Sequence, residues 1–158
     1  MKIKAIFSII TVLTIFLSAC DKDSNKHEVV GKKPYSPIEG NWELVSNEVS
    51  GKKIIPKRPE QFKIFNEGYF CFIMYDSLGN FYKAGAGPYE VNGNMYKETV
   101  NYYSDTKFIG TSDWQQWEMK GDTLIFYGFK KVTMADGSDV TDALGRDNFI
   151  EKRVRVKK

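Results

Sequence analysis

Residues 61–103 read QFKIFNEGYFCFIMYDSLGNFYKAGAGPYEVNGNMYKETVNYY. Three breaks divide them: Asn66-Glu67-Gly68, Ser77-Leu78-Gly79-Asn80 and Asn92-Gly93-Asn94. Each places Gly or Asn where a tight connection needs positive φ. Between the breaks run short segments rich in aromatic and β-branched residues, the composition of strands. The chain therefore turns back on itself at close intervals, and neighbours in sequence are expected to be neighbours in a sheet.

The same texture continues on both sides. Strands are predicted at 41–48, 61–65, 69–75, 81–84, 87–91, 95–103, 111–119 and 123–129, with a closing strand near 149–156. Lys120-Gly121-Asp122 supplies a further tight turn. After the N-terminal leader no run at helical period appears; Val140 to Leu144 could form one turn of helix in a long loop from Lys131 to Asp147. Residues 38–158 form one all-β domain of ordinary size. With no helices to cover it, a meander must pair two sheets or close on itself, and closure removes the exposed edges. A small antiparallel up-and-down barrel of about eight strands fits. Leu124, Phe126 and Gly128 fall on one face and Thr123, Ile125 and Tyr127 on the other, so both faces carry apolar groups and a sandwich stays open.

The N-terminus has a different character. Lys2 and Lys4 precede an apolar run from Ala5 to Phe16 that ends in Leu17-Ser18-Ala19-Cys20. The run is too short for a spanning helix, which needs roughly 20 apolar residues, and has the layout of a signal peptide. The tetrapeptide looks like a lipobox. Residues 1–19 are therefore expected to be removed and Cys20 to carry the acyl chains, palmitate among them, that anchor the protein. Residues 20–37, polar and ending at Pro34 and Pro37, read as a flexible tether.

Composition excludes several functions. Without Lys2 and Lys4 the formal charge falls from +3 to +1, so no basic excess points to nucleic acid. The single histidine, His27, lies in the tether, which leaves the domain without histidine catalysis or a histidine metal site. No nucleophile–base set and no phosphate-cradling glycine loop is present, and no cofactor, metal or catalytic residue is implied. Gly85-Ala86-Gly87 reads as a bend or bulge between strands. Asp136, Asp139 and Asp142 match no calcium loop and read as solvated. Cys71 has no partner for an internal disulfide once Cys20 is acylated, and reads as a small core residue.

Gly40-Asn41-Trp42 opens the first strand and Arg153 lies in the last. This resembles the Gly-x-Trp and C-terminal arginine pairing of the lipocalin superfamily. The order of Phe62-Lys63-Ile64-Phe65, Gly68-Tyr69-Phe70, Met74-Tyr75-Asp76, Ala84-Gly85-Ala86-Gly87, Tyr96-Lys97-Glu98-Thr99 and Gly121-Asp122-Thr123-Leu124 resembles the lipocalin-like lipoproteins of Bacteroidota. Glu151 departs from the pattern, standing where relatives tend to have an aromatic. The resemblance implies a closed barrel with Arg153 packed across Trp42, a cavity for a small hydrophobic or amphipathic ligand, and the outer membrane rather than the inner one.

Parity selects the inward residues. Phe72 and Met74 share a face, as do Tyr96, Glu98 and Tyr102; Gln115, Trp117 and Phe126 follow from the last hairpins. They predict a pocket of aromatics with few polar handles. Two alternatives stay open: the aromatics fill the barrel, or Glu98 faces outward. With a filled barrel the outer face would serve an envelope protein or a glycan, through aromatics such as Tyr82, Tyr103 and Trp114.

Overall fold

The structure is a computed structural model that describes residues 36–157; the expected signal peptide, Cys20 and the expected tether as far as residue 35 lie outside the described residues. The strands are β1 (Gly40–Val49), β2 (Lys52–Ile54), β3 (Gln61–Asn66), β4 (Tyr69–Tyr75), β5 (Phe81–Asn92), β6 (Met95–Thr99), β7 (Tyr102–Tyr103), β8 (Ser112–Lys120), β9 (Thr123–Thr133) and β10 (Phe149–Arg155). The wall runs β10-β9-β8-β6-β5-β4-β3-β1, every pair antiparallel, and β10 also pairs with β1. The sheet thus closes into the expected up-and-down barrel of eight wall strands, with β2 and β7 as short additions. Closure rules out the sandwich.

The turns follow from the residues at their tips. Glu67 and Gly68 both have positive φ, 48° and 82°, and join β3 to β4 by the two-residue connection that Asn-x-Gly permits. Gly93 and Gly121 do the same for the β5–β6 and β8–β9 hairpins.

Three local departures from the predicted strands set the interior. The strands expected at 81–84 and 87–91 are one twelve-residue strand, β5. Its glycines permit close approach rather than a break: a Cβ on Gly87 would lie 1.8 Å from the Thr99 carbonyl oxygen, and one on Gly85 would lie 2.7 Å from the Phe72 ring. Conversely, the strand expected over 95–103 stops at Thr99. Val100 and Asn101 leave the ladder, Val100 bonding Thr111 and Gly110 while Asn101 donates to Ala86, and only Tyr102 and Tyr103 pair again, now with β5. Finally, β9 continues to Thr133 and slips twice against β8: Gln116 faces Tyr127, Gln115 faces Phe129 and Trp114 faces Lys131. Gly128 and Lys130 are the extra residues, so Phe129 returns to the inner face.

The core fills one end of the barrel. Ile38, Trp42, Phe65, Phe70, Tyr96, Leu124 and Phe126 are each at most 2% exposed. Their rings meet edge-on, Phe65 against Tyr89 at 5.2 Å and against Tyr96 at 5.7 Å, a favoured aromatic arrangement. The chain plugs this end as it enters the barrel. Trp42 donates its indole N–H to the Ile38 carbonyl at 2.7 Å. Ser36 and Pro37, placed in the tether by sequence, belong to this plug, with Ser36 O accepting from Glu39 N.

The arginine across the tryptophan is Arg155, not Arg153. Its guanidinium lies 4.4 Å from the Trp42 ring centroid and donates to the carbonyls of Glu39 and Pro37. The register explains the exchange: Trp42 stands opposite Arg155, whereas Arg153 stands opposite Leu44, deeper in the barrel. Both arginines share the inner face, and two residues of strand decide which one reaches the closed end.

Candidate functional site

Above the aromatic floor the barrel axis is polar. β3 carries Gln61 and Lys63 inward, β6 Glu98, β8 Asp113 and Gln115, and β10 Glu151 and Arg153. These side chains border a cavity of about 400 Å³ at the end opposite Trp42. Beside them the walls carry apolar Val49, Phe72, Met74, Phe129, Leu144 and Phe149, together with Asn47 and Asn148. Phe129 and Phe149 meet edge-on at 4.9 Å. The volume lies at the small end of the range for ligand pockets, roughly 300–1,000 Å³.

The polar layer is organised as two linked sets. The Lys63 ammonium forms an ion pair with Glu98 Oε2, and the Tyr96 hydroxyl donates to the same oxygen. Four rings surround that ammonium: Phe70 at 5.0 Å, Tyr96 at 5.2 Å, Phe126 at 5.5 Å and Phe65 at 5.6 Å from their centroids. A buried charge needs such compensation, which the carboxylate supplies and the ring faces extend. In the second set Arg153 Nη2 donates to Gln61 Oε1 and, at 2.6 Å, to Glu151 Oε2. Gln115 donates to Asp113 Oδ1 at 2.7 Å.

Burial, then the charge of Glu98, push the Asp113 carboxyl well above the ordinary range. Burial and Glu98 likewise raise the Tyr96 phenol. For Glu151 burial works upward, but Arg153 and Lys63 outweigh it and hold the carboxyl below its ordinary value. The two acids therefore act oppositely on stability. Glu151 contributes above its unfolded value, and that contribution is lost as pH falls. Asp113 contributes below its unfolded value, and that contribution is lost as pH rises through the raised one. Asp113→Asn keeps an acceptor for Gln115 and cannot ionise, so its guanidinium chloride midpoint should gain on that of the wild type as pH is raised from 4 to 8. A gap that is constant with pH would show that folding does not raise the Asp113 carboxyl above its unfolded value.

Of the residues selected by parity, Phe72, Met74, Glu98 and Gln115 line the cavity, and Arg153 joins them from the last strand. Glu98 points inward, settling the choice left open by sequence. Tyr96, Trp117 and Phe126 instead belong to the closed-end core; the Trp117 indole donates to Gly93 O at 3.1 Å. Tyr102 is 72% exposed, because the detour at Val100 and Asn101 breaks the parity that would have turned it in. The expected lining of aromatics with few polar handles is likewise corrected: charged and amide side chains make up much of the cavity's lining.

Sequence reasoning missed Gln61, Lys63, Asp113, Phe129, Phe149 and Glu151. For four of them the signal was present: Gln61 and Lys63 alternate with Phe65, Asp113 with Gln115, and Glu151 with Arg153.

The other singled-out groups are engaged locally. Asp136 accepts from Ser138 N, Asp139 from Thr141 N, and Asp142 pairs with Arg146 at 2.8 Å, so each carboxylate shapes its own turn of the long loop. The Val140–Leu144 turn is present, with Leu144 N donating to Val140 O. Tyr82 is exposed, Trp114 is half-buried under the Lys97 ammonium, and Tyr103 leans on the Phe72 ring rather than on the outer surface. Cys71 is half-buried in the outer wall, not in the core, because Phe70 takes the inward position beside it.

No protein-family model and no curated protein matches the chain. Among solved structures it is similar to a lipocalin-like protein from Bacteroides uniformis, at 16% identity and a TM-score of 0.49, over 75% of this chain and 97% of that one. It is also similar to an uncharacterized protein from Bacteroides eggerthii, at 12% identity and a TM-score of 0.48, over 75% of this chain and 98% of that one.

Proposed function

We propose that the protein is a lipid-anchored binding barrel of the bacterial outer membrane that holds a small amphipathic molecule in its open end, without catalysis. The observation that carries this reading is the cavity itself: about 400 Å³, walled by charged and amide side chains and by apolar ones together. A wholly apolar ligand would leave the polar layer stripped of water, and a wholly polar one would gain nothing from Phe129, Met74 and Phe149. Attachment through Cys20 rests on the signal and lipobox pattern.

One measurement tests both halves. The full protein, extracted from its own membranes in mild detergent, is weighed by mass spectrometry in native and in denaturing conditions. The reading expects a chain beginning at Cys20 whose extra mass of acyl chains survives denaturation. It also expects a second, discrete mass that denaturation removes. A native spectrum without that second mass, unchanged after amphiphiles are offered, would sink the binding reading; an unacylated chain would sink the anchor.

The outer wall favours a second reading, contact with an envelope protein or a glycan. Tyr102 and Tyr69, 72% and 63% exposed, flank a shallow, mostly apolar groove shared with Ile64, Cys71 and Ala86. Large exposed aromatics beside such a groove suit stacking on a partner. A cavity that takes up nothing in the mass measurement would move the function to this face.

A further inference from the structure

We infer that the molecule held in the cavity is an amphipathic acid whose carboxylate is received by the guanidinium of Arg153. This rests on the binding reading above and names the chemistry of the occupant. Arg153 is 1% exposed and forms part of the cavity wall. Its Nη2 is committed to Gln61 and Glu151. Its Nε and Nη1 are buried and have no hydrogen-bond partner. A guanidinium does not deprotonate in a protein, so both atoms remain donors whatever the pH. Burying an unpaired donor is costly, and more so on a charged group. The fold carries that cost at a cavity wall, where an acceptor on a bound molecule removes it.

The other polar groups of the layer are already occupied. Lys63 has Glu98 and four ring faces, and Gln115 has Asp113. The unmet donors of the layer are therefore those of Arg153. Bonds from a charged donor to an anionic oxygen are roughly twice as strong as neutral ones, which favours carboxylate over carbonyl or hydroxyl. Burial favours the uncharged form of Asp113, and Lys63 and Arg153 stand in the wall with Glu98 and Glu151. An entering anion meets unpartnered donors on the guanidinium. Asn47 Oδ1, also in the wall and also buried without a partner, can accept from a hydroxyl or amide N–H on the same molecule. The acid's apolar body then lies against the side chains of Val49, Met74, Phe129 and Phe149.

The test compares three head groups on one short tail: octanoate, 1-octanol and octylammonium, titrated calorimetrically into the full protein at pH 7, with the detergent alone as blank. Octanoate should bind about tenfold tighter than octanol, a difference of about 1.4 kcal/mol, and octylammonium should bind least. Arg153→Lys keeps the charge but loses the guanidinium's donors, and should weaken octanoate about tenfold while leaving octanol unchanged. Octanol or octylammonium binding as tightly as octanoate overturns the acid while leaving the cavity reading intact. Octanoate binding indifferent to Arg153→Lys overturns the assignment to that side chain. Binding of none of the three overturns the inference and the cavity reading together. Should Arg153→Lys fail to fold, the order of the three head groups on the wild type decides alone.

Discussion

Glu98→Ala is expected to destabilise the barrel by about 3–5 kcal/mol, the usual cost of removing one partner of a buried ion pair. The loss has little to do with the attraction given up. It arises because the Lys63 ammonium, about 8% exposed and surrounded by rings, would be left without its anion. Ring faces contribute about 0.5–2 kcal/mol to holding a cation, too little to replace the carboxylate. The Tyr96 hydroxyl would lose its acceptor in the same step. Pairing Glu98→Ala with Lys63→Met removes the orphaned charge, and the double variant should recover most of what the single one loses. Equilibrium unfolding in denaturant across the four members of the cycle checks this. Strictly additive costs would mean that the two groups do not depend on each other. Where Glu98→Ala does not fold, Glu98→Gln serves as the milder member of the same cycle.

Gly87→Ala should cost more than about 3 kcal/mol or prevent folding, a size reserved for overpacking against atoms that cannot move. The added Cβ would fall 1.8 Å from the Thr99 carbonyl oxygen and 3.0 Å from Asn101 N. Both are backbone atoms held by neighbouring pairings: Thr99 is the last residue of β6, paired with Ser112, and Asn101 N donates to Ala86 O. Gly93→Ala is the control. Gly93 has a φ of 58° and open space around it, so alanine there should cost only about 1 kcal/mol, the penalty for a left-handed backbone. Equal losses from the two substitutions, read as shifts in denaturant midpoint, would show that steric contact at Gly87 is not what matters.

These two sites also mark how far the sequence could be read. The barrel was legible because its signals are local: Asn-Glu-Gly and Asn-Gly-Asn place turns, and turn spacing places antiparallel neighbours. Parity carried as far as the ladder stayed regular, which brought Phe72, Met74, Glu98 and Gln115 to the cavity. It failed where the ladder slips. The extra residue at Gly128 turns Phe129 inward, and the detour at Val100 turns Tyr102 out. Neither event has a strong local signature, since both depend on which strand lies alongside. The charged layer was missed for a different reason. A lysine in an amphipathic strand is ordinarily a surface residue, and only the partner on β6, 35 residues away, makes an inward Lys63 affordable. Arg153 and Arg155 likewise exchange the expected roles by two residues of register against β1.

The seam between β1 and β10 sets the timing of assembly. β10 is the last of the described strands, and among them it alone joins β9 to β1. Until residues 149–155 have left the ribosome, the sheet can exist only as an open ribbon with β1 and β9 as bare edges. A premature stop after Asn148 would therefore yield an unclosed chain rather than a smaller barrel, lacking Arg153 from the cavity and Arg155 from the plug at once. Closure and completion of the cavity thus both wait for β10, and a truncated product has neither.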